Sequence, residues 1–294
     1  MPPTETPTAS AVPRRVLGQY LRELRLEAGL TVKAAARLMD WSEPKMWRIE
    51  TGQTALRALD VQAMCAAYGA TPGLTQALGG LGRQTRARGW WRAYGEAIPE
   101  DFSIYAALEN TALSVASYAP SLVPGPLRTE AYARALFAGR DAGSAEVDQL
   151  VYGWLARRML LTRASEPLEM TLALDEALLH RPVGGPAVMA GQLRFLADMA
   201  VLPNVRLRVA PYRAGTHPGL ATGAFTLLDF PRAKHSGDTD TAIVHAEGLT
   251  GELYLDKPHE VHRYRDAHAA ILHCSLDEAA TPDLLLSAAK EFEA

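Results

Sequence analysis

The stretch Leu24-Arg25-x-x-x-Gly29-Leu30-Thr31, continued by Ala36-x-x-Met39-x-x-Ser42-x-x-Lys45-x-x-Arg48-Ile49-Glu50-x-Gly52, decides how the first quarter of the chain folds. Gly29 follows the last residue of an apolar-periodic run, where the backbone must turn left-handed and glycine costs least. Thr31 and Ser42 each precede a short run, and a hydroxyl there accepts a hydrogen bond from a free backbone N–H of the next helix. Pro44 fits the first turn of the helix after Ser42, where its missing N–H is not needed. Met46 and Ile49 point that helix into a core, and Gly52 ends it.

Working outward, Leu17, Leu21, Leu24 and Ala28 form one apolar stripe, with Arg14, Arg15, Arg22 and Arg25 largely off it. In the next helix Ala35, Ala36, Leu38 and Met39 are expected inside, and Asp40-Trp41 makes a tight turn. A further helix over about 59–68 turns Val61, Met64 and Cys65 inward before Gly69 stops it. Short helices joined by a tight turn, the second polar on its outer face, match the shape of a DNA major groove.

The quoted string resembles the phage-repressor-like helix-turn-helix (Cro/C1 or XRE type) over about fifty residues. The resemblance implies that Ser42, Glu43, Lys45 and Arg48 lie on or beside the groove-facing surface. Arg48 would pair with a guanine edge and Glu43 would accept from a cytosine amino group. Lys45 and Thr31 would meet phosphates, and Lys33 and Trp47 complete the expected DNA-binding set. Two positions depart from the pattern: Val32 stands where many relatives carry Gln, and Trp47 where a small polar residue is common. A helical bundle used only for protein contacts is the competing reading. One recognition helix reads few base pairs, so a homodimer or a pseudo-palindromic operator of double-stranded DNA is expected.

Composition supports a separate basic module. Of 294 residues, 48% are hydrophobic and 21% charged, as in ordinary globular proteins, and the length suggests two domains. Residues 14–88 carry a net charge of +6 and the remainder −9, against −3 overall. That asymmetry fits a nucleic-acid-binding quarter on an acidic body. Met1–Pro13, rich in Pro, Thr, Ala and Ser, reads as a flexible tail without the features of a secretory signal. No apolar run approaches the roughly 18 residues that span a bilayer. Cys65 and Cys274 stand far apart and outside any Cys-x-x-Cys pair, which argues against a disulfide framework or zinc knuckle. A cytoplasmic, nucleoid-associated protein is expected.

The expected organisation is a tail over 1–13, the helix-turn-helix over 14–72, a connector over 73–89 containing Arg83, Arg86 and Arg88, and a body over 90–294 opening with Trp90-Trp91. In the body, helices are expected near 102–119, 129–137, 145–165, 186–202, 261–274 and 282–290. Strands are expected near 168–174, 205–211, 224–230, 241–246 and 251–255, the last three as antiparallel neighbours. Val205, Leu207 and Val209 alternate strictly with arginines and define a buried strand face. The fold class is therefore α+β overall: an all-α N-terminal domain and a mixed α/β C-terminal domain with one sheet and flanking helices.

Three further strings carry a resemblance. They are Leu108-Glu109 with Tyr118-x-Pro120-x-Leu122-Val123-Pro124-Gly125-Pro126-Leu127-Arg128-Thr129-Glu130-x-Tyr132-Ala133; Asp175-Glu176-Ala177-Leu178 with Arg181-Pro182-Val183-Gly184-Gly185; and Tyr254-Leu255-Asp256-Lys257-Pro258. With the preceding module they resemble the actinobacterial WhiJ-like regulators, whose body is a domain once catalogued as of unknown function. The resemblance implies transcriptional control of development and antibiotic production. It also implies a small, separately encoded protein partner in a toxin–antitoxin-like arrangement. Pro126-Leu127-Arg128 replaces the commoner Leu-Leu-Gln.

Two readings compete for the stiff loop over 122–128: a partner-docking edge made by Leu122, Val123, Pro124, Leu127 and Arg128, or packing between helices. Eight histidines raise the question of catalysis. His217, His235 and His245 lie near Asp238, Asp240 and Glu247, but no metal-binding, nucleophile-elbow or phosphate-loop motif accompanies them. His262 and His268 are read as solvated or capping residues, and Gly184-Gly185-Pro186 as a turn into a helix. The expectation is a DNA-binding regulator without enzyme activity, cofactor or metal, whose body receives the small protein. The alternatives are a one-component sensor of a small molecule and an enzyme guided to DNA.

Overall fold

The computed structural model of the protein describes residues 12–72, 74–75, 78–79, 82, 104–137, 144–164, 166–230, 242–248 and 251–293. Most of the expected tail and connector, together with Trp90-Trp91, His235, Asp238 and Asp240, lies outside them.

Four helices open the chain: α1 (Val12–Glu27), α2 (Val32–Leu38), α3 (Glu43–Glu50) and α4 (Ala58–Tyr68). All four end on one device, a left-handed residue just past the helix: Gly29, Asp40, Gly52 and Gly69, with φ of 68°, 53°, 70° and 77°. The amides of Leu30, Trp41, Gln53 and Ala70 then donate to the carbonyls of Arg25, Ala36, Arg48 and Cys65, which the helix leaves without partners. Asp40 stands where the other three ends have glycine, and aspartate is one of the few side chains that tolerates this backbone.

Leu17, Leu21, Met46, Ile49, Val61, Met64 and Cys65 are each at most 1% exposed and form the core of these helices. Gly18 brings α1 and α3 together: a Cβ there would lie 2.4 Å from the Ile49 carbonyl oxygen. Three expectations fail. Ala28 is exposed because α1 has already ended. Leu38 is 61% exposed. At roughly 100° per residue it points about 110° away from the buried Ala35–Ala36 face. Arg25, placed largely off the apolar stripe, is buried.

A further helix, α5 (Ile104–Thr111), packs on α1 through a chain region that also holds the fully buried Leu108. The chain resolves into two compact units. Of the described residues, those within 12–111, 242–243, 248 and 251–258 form the first, and those within 112–230, 244–247 and 259–293 form the second.

The strands are β1 (Ser114–Ala119), β2 (Glu169–Asp175), β3 (Val205–Ala210), β4 (Phe225–Asp229), β5 (Ala242–Gly248) and β6 (Gly251–Leu255), in sheet order β3-β2-β1-β4-β5-β6. β1 runs parallel to β2, with Val115 opposite Met170, and β2 parallel to β3, with Leu172 opposite Leu207. β1 runs antiparallel to β4, with Tyr118 opposite Phe225, so the sheet changes sense at β1. This mixed sheet with flanking helices is the α+β class expected.

β1 corrects the helix expected over 102–119, of which only 104–111 is helical. Ser114-Val-Ala-Ser-Tyr-Ala has one β-branched residue and little strand propensity of its own. Pairing on both edges decides its conformation. Between β1 and β2 come α6 (Glu130–Ala135), α7 (Ser144–Arg157) and α8 (Met159–Thr162). The single helix expected over 145–165 breaks at Arg158, which donates to the Arg128 carbonyl and lies over the Phe195 ring. α9 (Glu176–Leu179) and α10 (Pro186–Met199) lead to β3, and α11 (Gly219–Thr222) to β4. Gly184 precedes α10 because a Cβ there would lie 2.7 Å from that of Ala135. The chain ends with α12 (Pro258–Cys274) and α13 (Ala280–Glu291), and α13 packs on α10. Beyond α12, the Leu276 amide donates to the Val209 carbonyl at 2.8 Å, and Arg208 Nε donates back to the Leu276 carbonyl at 2.6 Å. These bonds occupy the free edge of β3, which would otherwise invite pairing with another chain.

His268 on α12 is buried, correcting the surface role expected for it. Its Nε2 donates to the Ser117 carbonyl at 3.2 Å, and its ring meets Phe225 edge-on at 6.2 Å. Burial lowers its pKa below 6.5, so the folded state holds this ring neutral. The unfolded chain binds the proton first as pH falls, and His268 therefore contributes stability above about pH 6.5 that is lost on acidification. The variant His268→Gln should lose less stability between about pH 7 and 5 than the wild type, measured by urea denaturation. Equal losses in the two proteins would show that His268 does not carry this pH dependence.

Candidate nucleic-acid interface

The helix-turn-helix is built by α2, the turn at Met39–Ser42 and α3. Thr31 caps α2, its Oγ1 accepting from the Ala34 amide at 3.1 Å. Ser42 caps α3, its Oγ accepting from the Lys45 amide at 3.3 Å. Both caps fall on the residues the sequence nominated. They fix where each helix starts and therefore which side chains share an outer face.

Burial divides α3 sharply. Met46, Ile49 and Glu50 are buried, while Glu43, Pro44, Trp47 and Arg48 are exposed and Lys45 is half-buried. Of the residues expected to meet DNA, Thr31, Lys33, Ser42, Glu43, Trp47 and Arg48 are all exposed. Trp47, 50% exposed, is not a core residue. Lys45 Nζ sits 3.7 Å from the centroid of the Trp41 ring. The Thr51 hydroxyl donates to the Trp47 carbonyl at 2.9 Å and closes the last turn.

The inner side of α3 is held by a buried ion pair. Arg25 on α1 donates through Nε to Glu50 Oε1 at 2.6 Å and through Nη2 to Oε2 at 2.9 Å. Its third bond, Nη1 to the Leu30 carbonyl at 2.7 Å, ties in the loop after α1. The two side chains are each 5% exposed. The hydrogen bonds to Glu50 raise the Arg25 pKa above its ordinary value despite burial. The phenol of Tyr68, buried near Glu50, is pushed up to about 12. Arg14 and Arg15 are only half-exposed, and burial lowers both pKas, that of Arg15 to about 10, with Asp256 acting in the opposite direction.

The loop over 122–128 is pinned from within. Val123 and Leu127 are fully buried and Leu122 is 41% exposed. Gln192, itself fully buried, donates to the Leu127 carbonyl at 2.7 Å and accepts from the Thr129 amide at 2.7 Å. Arg128 donates to the Val123 carbonyl at 2.6 Å and stacks over Trp154 at 4.3 Å. Of the residues proposed as a docking edge, Val123 and Leu127 therefore pack inward, Arg128 is engaged within the chain, and Pro124 is half-buried.

Among the histidines, His217 meets two residues the sequence did not connect with it. Asp175, at the end of β2, accepts from the Tyr118 hydroxyl at 2.8 Å on Oδ2 and from the Ala177 amide at 2.9 Å on Oδ1. His217 Nε2 lies 3.6 Å from Oδ2, and its ring meets Tyr118 edge-on at 5.7 Å. Burial, then the bond to Asp175, holds the Tyr118 phenol above its ordinary range. His217 Nδ1 is buried with no hydrogen-bond partner among the described residues. Gly219 makes room for the pair, because a Cβ there would lie 2.6 Å from the Tyr118 ring and 2.9 Å from that of His217. His245 is buried in β5 and His262 is exposed beside Asp266. Among the described residues, no cluster of three or more His, Cys, Asp or Glu could hold a metal ion, and no helix is long and apolar enough to cross a membrane.

Residues 16–78 match the family described as a helix-turn-helix domain, and residues 102–287 match a family described as a domain of unknown function, DUF5753. No curated protein and no solved structure matches the chain.

Removing one partner of a buried ion pair strands the other charge, at a cost of about 3–5 kcal/mol, whereas replacing both by apolar residues is often neutral. Arg25→Met alone should therefore lower stability by about that amount, and Arg25→Met combined with Glu50→Leu should recover most of it, read by denaturant unfolding. Additive losses in the double variant would show that the two residues do not act as a pair.

Proposed function

Because the chain belongs to the DUF5753 family, its domain of unknown function here joined to a helix-turn-helix domain, we propose that it is a sequence-specific DNA-binding transcription regulator that reads its operator with α3. The observation that carries this reading is the division of α3: core side chains inside, and Glu43, Trp47 and Arg48 outside on a helix with a defined start. Arg48 pairs with a guanine edge, Glu43 accepts from cytosine, and Trp47 makes apolar contact with a thymine methyl group. Thr31, Lys33 and Lys45 meet phosphates and set the register. The protein works as a homodimer on inverted half-sites, in the cytoplasm at the nucleoid, and without catalysis of its own.

In this reading the body is the regulatory part. It receives a small, separately encoded protein in a WhiJ-like, antitoxin-like arrangement that governs development or antibiotic production. The partner changes occupancy only by binding the free and DNA-bound forms with different affinity. A second reading, a body that senses a small molecule, is favoured by one observation. His217 Nδ1 lies buried and unpartnered among the described residues, beside Asp175 and Tyr118, at the carboxyl ends of the parallel strands β1 and β2, where the strand order turns from β2 and β3 on one side of β1 to β4 on the other. Ligands of open α/β sheets gather at such places. A ligand-induced rise in melting temperature that disappears in His217→Ala would favour this second reading.

The test of DNA reading is selection of bound duplexes from a random pool, repeated with Arg48→Ala. The wild type should recover one motif with inverted half-sites about one helical turn apart. Arg48→Ala should lose about 1–3 kcal/mol of specific affinity and relax one position in each half-site. Recovery of no motif by the wild type would overturn the proposal.

A further inference from the structure

We propose that Trp41 is a positioning residue for DNA binding, whose ring holds the Lys45 ammonium in place for a phosphate at the start of the recognition helix. The inference rests on the DNA-reading role of α3 and deepens it.

Lys45 is tethered at both ends. Its backbone N–H is accepted by the Ser42 cap at 3.3 Å, and its Nζ lies 3.7 Å from the centroid of the Trp41 ring. The Trp41 backbone is held in turn, because its amide donates to the Ala36 carbonyl at 2.8 Å in the bond that closes α2. Trp41 and Lys45 are both half-buried, unlike the exposed Ser42, Glu43 and Pro44 between them. The turn and the first turn of α3 are thereby joined by one cation–π contact across the bend of the helix-turn-helix.

The location gives the contact its meaning. Lys45 lies in the first turn of α3, where the helix dipole is positive and a cation is disfavoured. A lysine there adds nothing to the helix itself, and the electron-rich ring offsets the repulsion. A phosphate oxygen would meet the ammonium and the positive end of the helix together. An untethered lysine would give up its rotamer freedom on binding. The ring removes that freedom beforehand, which favours association without a new protein–DNA contact. The indole therefore acts through Lys45 and not by touching DNA.

The test is a double-mutant cycle on DNA affinity, with Trp41→Leu, Lys45→Gln and both together, using a fluorescein-labelled duplex of the selected sequence at several salt concentrations. Lys45→Gln should reduce the slope of log K against log salt by about 0.9, the loss of one phosphate contact. Trp41→Leu should weaken binding roughly three- to tenfold when Lys45 is present. In the Lys45→Gln background it should cost less than about twofold, and Trp41→Phe, which keeps a ring, should retain most of the wild-type affinity. Melting temperatures of all variants report any loss of folding separately. Equal losses from Trp41→Leu in both backgrounds would overturn the positioning role and make Trp41 a packing residue. An unchanged salt slope in Lys45→Gln would overturn it too, while leaving DNA reading by α3 intact. If the wild type selects no sequence and binds no duplex, the DNA reading falls and this inference with it.

Discussion

The buried pair of Arg25 and Glu50 is the constraint on which the helix-turn-helix depends. It joins α1 to the last turn of α3, and through the Leu30 carbonyl it also holds the loop that leads into α2. The helix α3 is only eight residues long and would not be stable by itself. Its orientation comes from what grips its inner face: Met46 and Ile49 in the core, the Gly18 backbone against Ile49, and the guanidinium on Glu50. An apolar contact would hold the helix equally close but would allow more rotation. A two-pronged hydrogen-bonded pair fixes direction as well as distance. The outward aim of Trp47 and Arg48 follows from that grip on the opposite side.

Much of this module was legible because its signals are local. A cap needs one hydroxyl at one position, and a left-handed stop needs one glycine; Thr31, Ser42, Gly29, Gly52 and Gly69 all act as their neighbours in sequence dictate. The ion pair was not legible. Its partners are 25 residues apart, and an arginine beside an apolar stripe reads as solvated until its acid is found. Arg25 lies four residues after Leu21, on the edge of the buried face, and that offset was the available hint. Lys45 and Trp41 are also four apart, but across a turn, so helical spacing did not connect them.

In the body, strands with their own alternation, such as Val205–Ala210, were readable, while β1 was not. Its small residues suit a helix as well as a strand, and only β2 and β4 on either side settle the matter. The loop over 122–128 shows the same limit. Stiffness is visible in its prolines, but Gln192, which pins it from α10, is a polar residue 65 positions from Leu127. The cluster of Tyr118, Asp175 and His217 likewise draws on three separate segments.

The proposed DNA-contacting surface is α3 together with the start of α2. Hydrogen–deuterium exchange of the full chain, with and without its selected duplex, tests it most directly. Protection on binding should concentrate in peptides covering Thr31–Lys33 and Ser42–Arg48. Protection confined to other segments, with these peptides unchanged, would contradict it.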